Sequence, residues 1–129
     1  MSIPILIRSY VTTAAVAACT IVKFTDASAT SKVGPAAANT EPLWGIADAQ
    51  GGDSGGMVDV ILDGFADVKL GGTVQAGDPL TSDANAAAVK ATPSATNIVR
   101  VIAWAEQPGV AGDIVRAKVE RSVIHIGAS

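Results

Sequence analysis

The stretch that decides the fold is Trp44 to Leu62, WGIADAQGGDSGGMVDVIL. An apolar run through Ile46 and Ala47 leads into a small polar loop, Gln50 to Gly56. The chain then resumes with Met57, Val58, Val60, Ile61 and Leu62. Two short apolar segments joined by a glycine-rich turn predict a β-hairpin. The same pattern returns in Val101-Ile102-Ala103-Trp104-Ala105, Glu106 to Gly112, and Asp113-Ile114-Val115-Arg116-Ala117-Lys118-Val119. Internal repetition constrains an architecture more than any short motif does. Upstream of the hairpin, one constant spacing pairs Phe24 with Leu80, Val33 with Val89, Ile46 with Ile102 and Ala47 with Ala103. After the loop the spacing lengthens by one and pairs Gly55 with Gly112, Val58 with Val115 and Val60 with Ala117. The expectation is a duplication over approximately 20–64 and 76–121, with one residue added in the second loop.

The duplication bears directly on Gly52-Asp53-Ser54-Gly55-Gly56, which spells the GDSGG around the nucleophile of chymotrypsin-like proteases. That chemistry needs a histidine base and a carboxylate that orients it. The chain has one histidine, His125, and none precedes Ser54 as the chymotrypsin-like order requires. In the second copy the aligned residues are Gly109-Val110-Ala111-Gly112-Asp113, so an alanine faces Ser54. A hairpin loop that needs permissive backbone angles accounts for both versions.

At 129 residues the chain is one domain, or two half-size lobes on one core. Much of its apolar content is alanine, so the core is modest and association with another chain is a natural way to bury more. Nine basic against twelve acidic residues, with no Lys/Arg run, argue against a nucleic-acid partner. A single cysteine, Cys19, excludes an internal disulfide framework, and its apolar setting suits a buried side chain. Val16-Ala17-Ala18-Cys19 resembles a lipoprotein cleavage box, but its hydrophobic centre is short and rich in threonine, so the segment reads as a strand. No run approaches the roughly 20 apolar residues of a membrane span.

Residues 1–10 (MSIPILIRSY) form an apolar arm, held extended by Pro4. Such an arm docks on its own core, on a sister subunit or on a partner, which makes Ile3, Pro4, Ile5, Leu6, Ile7 and Arg8 candidate interface residues. Residues 11–129 form a single all-β domain with two tandem sub-repeats. Short strands are expected near Lys32-Val33, Phe65 to Leu70, Ala88-Val89-Lys90 and Val123 to Ile126. Asp63-Gly64 reads as a turn, and helical competitors exist at Ala14 to Ala18 and Asn85 to Ala91. Many short strands between turn signals indicate a small barrel or sandwich. Arg116 and Lys118 fall on one side of a strand, where the first copy has Asp59 and Ile61, so a positive face is a candidate contact for an acidic surface. His125 lacks co-ligands, and Asp59, Asp63 and Asp67 do not make a calcium loop. No cofactor or metal site is expected.

Gly77-Asp78-Pro79-Leu80, the Ala/Thr loop after it, and VIAWAEQPGVAGDIVRAKV at 101–119 resemble the small head decoration (cement) proteins of tailed bacteriophages. Trp44-Gly45-Ile46-Ala47 fits that family's glycine-containing element, with Ala103 replacing the glycine in the second copy. The resemblance covers roughly residues 20–120 and leaves out the arm. It implies a non-enzymatic, β-rich virion protein on the outer surface of the expanded head, made in the host cytoplasm. Its partner would be the major capsid protein, and it would act as a homo-oligomer, trimer favoured and dimer possible. Two other classes stand beside it: a binding module for a glycan or host surface, for which few aromatics are present, and, last, a serine hydrolase using Ser54.

Overall fold

The computed structural model describes residues 3–25, 32–39, 41–92 and 99–124. Every regular element among them is a strand: β1 (Ile3–Val11), β2 (Ile21–Phe24), β3 (Val33–Pro35), β4 (Leu43–Ala47), β5 (Met57–Lys69), β6 (Pro79–Ser82), β7 (Ala88–Lys90), β8 (Val99–Ala105) and β9 (Ile114–Ile124). The helical alternatives are therefore not adopted. Residues 88–90 are strand, and the chain through Ala14 to Ala18 is irregular, ending in a turn at Ala18-Cys19.

The sheet order is β3-β2-β4-β5-β9-β8-β6-β7, with β1 also on β5. Read from either end, the order is the same once β2 to β5 are exchanged for β6 to β9. Each half also closes on itself. Thr12, just after β1, makes a parallel bridge to Val33 of β3, and Leu70, just after β5, makes one to Ala88 of β7. The first lobe thus runs β1-β5-β4-β2-β3 and back to β1. The second runs β5-β9-β8-β6-β7 and back to β5. This is the all-β small-barrel architecture expected from the duplicated hairpin.

The hydrogen bonds fix the equivalence of the lobes residue by residue. Val22 pairs with Gly45 as Leu80 pairs with Ala103. The Val16 N–H donates to the Gly52 carbonyl (2.8 Å) as the Val74 N–H donates to that of Gly109 (2.9 Å). The Gly55 N–H reaches the Thr12 carbonyl as the Gly112 N–H reaches that of Leu70, at 3.1 and 2.8 Å. Gly55 and Gly112 both hold left-handed backbone, φ 76° and 92°, where a Cβ would be strained. After the loop this confirms the equivalences read from sequence, with Ala111 opposite Ser54. Before the loop it corrects them. Ala103 is matched by Gly45 rather than Ala47, Ile102 by Trp44 rather than Ile46, and Leu80 by Val22 rather than Phe24, while Val33 is matched by Ala88 rather than Val89. The second loop is consequently one residue shorter, not longer. A strand repeats its facing every two residues, so the slips of Phe24 and Ala47 leave the apolar pattern unchanged. Register shifts at Trp44 and Ile102, by contrast, put Ile46 on the outside of its lobe and Ile102 on the inside.

β5 belongs to both lobes. Its first part pairs with β1, Val11 opposite Met57, and its last part pairs with β9, Lys69 opposite Ile114. The turn expected at Asp63-Gly64 does not occur. Gly64 takes φ 95° inside the strand, beside register shifts against β1, and the chain bends without reversing. β9 likewise runs unbroken through the two strands expected at its place.

The core follows the repeat. The first lobe is filled by Tyr10, Val16, Val22, Val33, Ala47, Val58 and Val60. Their equivalents Val68, Val74, Leu80, Ala88, Ala105, Val115 and Ala117 fill the second. That second cluster continues into Ile21, Leu43, Ile46 and Ile61 on the outside of the first lobe, so the lobes share one core. Ile21, Ile46 and Ile61 are buried to 1% exposure or less, each contributing about 1.5–3 kcal/mol by burial. The Ile21 N–H to the Ala86 carbonyl and the Lys69 N–H to that of Cys19, both 2.8 Å, stitch the junction.

Gly45 lies where β4 crosses closest to β5. A Cβ there would sit 2.5 Å from Val60 Cγ1 and 2.7 Å from the Ile61 carbonyl oxygen. Gly45→Ala should therefore lower stability by about 1–3 kcal/mol, read from urea denaturation, although alanine is the native residue at the equivalent Ala103. An unchanged midpoint would show that β4 and β5 sit further apart than described.

Candidate docking surface

Ile3 to Arg8, expected as an extended arm, lie in β1 and are zipped antiparallel onto the chain's own β5, Ile3 opposite Phe65 and Ile7 opposite Ile61. Docking on the arm's own sheet is one of the three outcomes the sequence left open. The strand still leaves apolar surface in solvent: Leu6 is 47% exposed, Ile7 42% and Val11 39%, beside Met57 at 56%. Val11 and Met57 are cross-strand partners, so they form one patch. Beside it the Ser9 hydroxyl donates to Asp59 Oδ1 at 2.5 Å. The Arg8 guanidinium carbon lies 5.6 Å from the centre of the Tyr10 ring, a cation–π distance.

Arg116 and Lys118 point to one side of β9, with the alternate residues Val115, Ala117 and Val119 buried. They stand opposite Asp67 and Phe65 of β5. Phe65 pairs with Ile3 on one edge and Lys118 on the other, so β5 carries the arm and the cationic strand on its two sides. The positive charge is partly balanced. Arg116 lies 3.9 Å from a Glu106 carboxylate oxygen and Lys118 3.8 Å from one of Glu120. Exposed pairs of this kind contribute about 0–1 kcal/mol and remain available to exchange partners.

A group of aromatic residues escaped the sequence reading. Tyr10 and Phe24 meet edge to face at 6.1 Å, Phe24 and Trp44 pack at 4.5 Å, and the Trp44 indole N–H donates to the Tyr10 hydroxyl at 2.8 Å. Three of the chain's five aromatic residues thus gather at one mouth of the first barrel, with Leu62 beside them. They come from β1, β2 and β4, so only the closure of the barrel brings them together. The one local signal was the alternation of Leu6, Arg8 and Tyr10 on one face of the arm.

The GDSGG loop is the tip of the β4–β5 hairpin. Ser54 is exposed, and its hydroxyl donates to the Thr13 carbonyl at 3.4 Å. The Thr12 hydroxyl donates to the Asp53 carbonyl, tying the tip to the chain after β1. A depression of about 590 Å³ beside it is lined by Ala15, Ala17, Gln50, Gly51, Asp53 and Met57 among others, mostly small side chains and backbone. His125 lies outside the described residues. Among the described residues no three His, Cys, Asp or Glu side chains gather as a metal site, and no helix is long and apolar enough to cross a membrane. Asp59, Asp63 and Asp67 serve Ser9, the Gly64 N–H and the β9 side of β5 respectively. Cys19 is buried at the lobe junction, and burial first, then the charges of Asp67 and Asp48, push its thiol above the usual range.

No family model matches the chain, and no curated protein matches it. Among solved structures, the N base of the head fiber gp8.5 in bacteriophage phi29 matches with a TM-score of 0.66 at 20% identity, over 89% of this chain and 93% of that one. At that identity the likeness is one of fold, and it spans both lobes.

Tyr10→Phe removes the acceptor of the indole N–H while keeping the ring. It should cost about 0.5–1.5 kcal/mol and shift the Trp44 emission spectrum, whereas Phe65→Leu should leave that spectrum in place. The Cys19 thiol should react with an aromatic disulfide reagent at pH 8 at least roughly tenfold more slowly in the folded protein than in urea. Equal rates would place it at the surface.

Proposed function

We propose that this chain is a structural protein of a phage head, which binds the outer surface of the expanded capsid and clamps neighbouring major capsid subunits. The observation that carries the reading is the match of fold to a phage head-fiber base over nearly the whole chain. It agrees with the independent resemblance of the 77–119 stretch to head decoration proteins. The reading makes the protein non-enzymatic, a homo-oligomer with a trimer favoured over a dimer, made in the host cytoplasm and placed on the virion.

The β1–β5–β9 face is the proposed capsid contact. Leu6, Ile7, Val11 and Met57 supply apolar area that an ordinary small domain would bury, and Arg116 supplies charge for acidic neighbours, with Arg8 and Lys118 at the edges of the face. Apolar contact gives the affinity, and the charges set orientation and rate of encounter. Stabilisation is then mechanical. Each copy binds the assembled shell and not its dissociated subunits, so occupancy shifts the equilibrium toward the intact head. Nothing favours the glycan alternative, because the three clustered rings pack on one another rather than lying open as a platform.

The test is co-sedimentation with undecorated heads of the phage that encodes the chain, expanded and unexpanded. Saturable binding to expanded heads alone is expected, with a fixed ratio to the major capsid protein. Ile7→Ser combined with Met57→Ser should weaken it roughly tenfold or more. Absence of binding to both head forms would overturn the capsid reading.

A further inference from the structure

The duplicated lobes cover one another unequally. The mouth of the second barrel, marked by Ala66, Ser82, Ile102 and Val119, is buried to 3% exposure or less. Ala66, Ile102 and Val119 lie in one cluster with Ile21, Leu43, Ile46 and Ile61 from the outside of the first lobe. A mouth of this fold is therefore closed by the outer β2–β4–β5 face of the neighbouring lobe. The pairing equivalence carries both halves of that contact across the repeat. The first lobe's own mouth is Arg8, Phe24, Trp44 and Leu62, of which Arg8 is exposed and the rest only half-buried. The second lobe's outer face is Pro79, Val101, Trp104 and Lys118. Val101 is covered by the chain itself, in a small cluster with Ala91 and Val99 against which Trp104 packs, while Pro79 and Trp104 stay half-buried and Lys118 exposed. Among the described residues one mouth is thus left uncovered and one face only partly covered, and each holds one of the chain's two tryptophans.

We infer that a second copy of this chain covers the first-lobe mouth with its second-lobe outer face, head to tail, repeating between molecules the contact that joins the lobes within one. The lobes of a single chain are already engaged through the other pair, so the remaining mouth and face can meet only between copies. Trp104 occupies the place of Ile46 and Trp44 that of Ile102, so the two indoles fall at corresponding points of the new contact. A head-to-tail contact uses different surfaces on the two partners, and it closes into a ring or continues as a chain according to its rotation. The inference deepens the homo-oligomer part of the reading above and does not depend on the capsid part.

The experiment is sedimentation velocity with native mass spectrometry on the free protein, without heads. Wild type should self-associate at about 100 µM or below. Leu62→Lys and Phe24→Lys alter the mouth and Trp104→Lys alters the face, with folding checked by circular dichroism. Each variant alone should be monomeric. Mixing a mouth variant with the face variant should restore a discrete heterodimer, because one intact mouth and one intact face remain. A monomeric wild type, or an oligomer unchanged by all three substitutions, would overturn the inference. So would single variants that fail to recover on mixing while folded, since that marks a contact between like surfaces. Leu62→Lys, on a half-buried side chain whose charged end can reach solvent, keeps the test decisive should Phe24→Lys fail to fold. Head binding by a monomeric wild type would leave the capsid reading standing alone.

Discussion

The structure depends on β5 serving two barrels at once. Its first residues close the first lobe against β1 and β4, and its last residues open the second against β9. A strand shared in this way cannot be completed by either lobe alone, so the lobes are expected to fold as one unit. The arrangement also explains Gly64. A strand of 13 residues that must curve around two separate interiors needs a bend in the middle, and glycine at φ 95° provides it without ending the strand. β1 plays for the first lobe the part that the end of β5 plays for the second. The apolar arm is accordingly an integral barrel strand, which is why Ile3 to Val11 are extended and paired.

The shared core decides where the few large side chains go. The second lobe closes its mouth against the first and manages with Ala66, Ser82 and Val119 there, all buried. Among the described residues the first lobe has no such cover, and it fills its mouth with Phe24, Trp44 and Leu62, locked by the indole hydrogen bond to Tyr10. Ring contacts of this geometry add about 0.5–1.5 kcal/mol beyond area alone. Aromatic enrichment in one of two equivalent lobes is thus a consequence of which one lies first in the stack.

Much of this was legible in the sequence. The twin hairpins gave the duplication, the alanine opposite Ser54 gave the loop its structural role, and the alternation around Arg116 and Lys118 gave their common facing. The register before the loop was harder. Matching Ile46 with Ile102 maximises like residues, while the barrel equates Ile46 with Trp104 and Gly45 with Ala103. For Ala47 and Phe24 the two alignments differ by two residues and change no inside or outside assignment. Bulges at Trp44 and Ile102, however, turn Ile46 outward and Ile102 inward, and Val33 is matched by Ala88 rather than Val89, slips that sequence alone does not reveal. Asp63-Gly64 misled for a related reason, since the dipeptide that turns a hairpin also makes a bulge when the flanking strand has partners on both edges. The aromatic mouth was illegible because Tyr10, Phe24 and Trp44 share no local spacing, and closure of the barrel alone puts them in contact.

The comparison of equivalent positions also separates what the fold requires from what the surface does. Inside the barrels the two lobes agree in kind: Val16 with Val74, Val22 with Leu80, Val58 with Val115, Ala47 with Ala105. Outside they diverge in charge: Asp59 against Arg116, Ile61 against Lys118, Val11 against Lys69, Asp53 against Val110. A duplication under no demand but folding would keep its interior and let its surface drift toward ordinary polar residues. Here the drift leaves large apolar side chains in solvent at matched places, Met57 at 56% and Ile114 at 59% exposure, with an acidic residue beside the first and a basic one beside the second. Met57 shares its place with its exposed cross-strand partner Val11, whereas Ile114 stands opposite Lys69, so the first lobe gathers apolar surface here and the second does not. The opposite charges around them make the two equivalent faces electrostatically unlike, so the repeat has kept its interior while its two surfaces have parted.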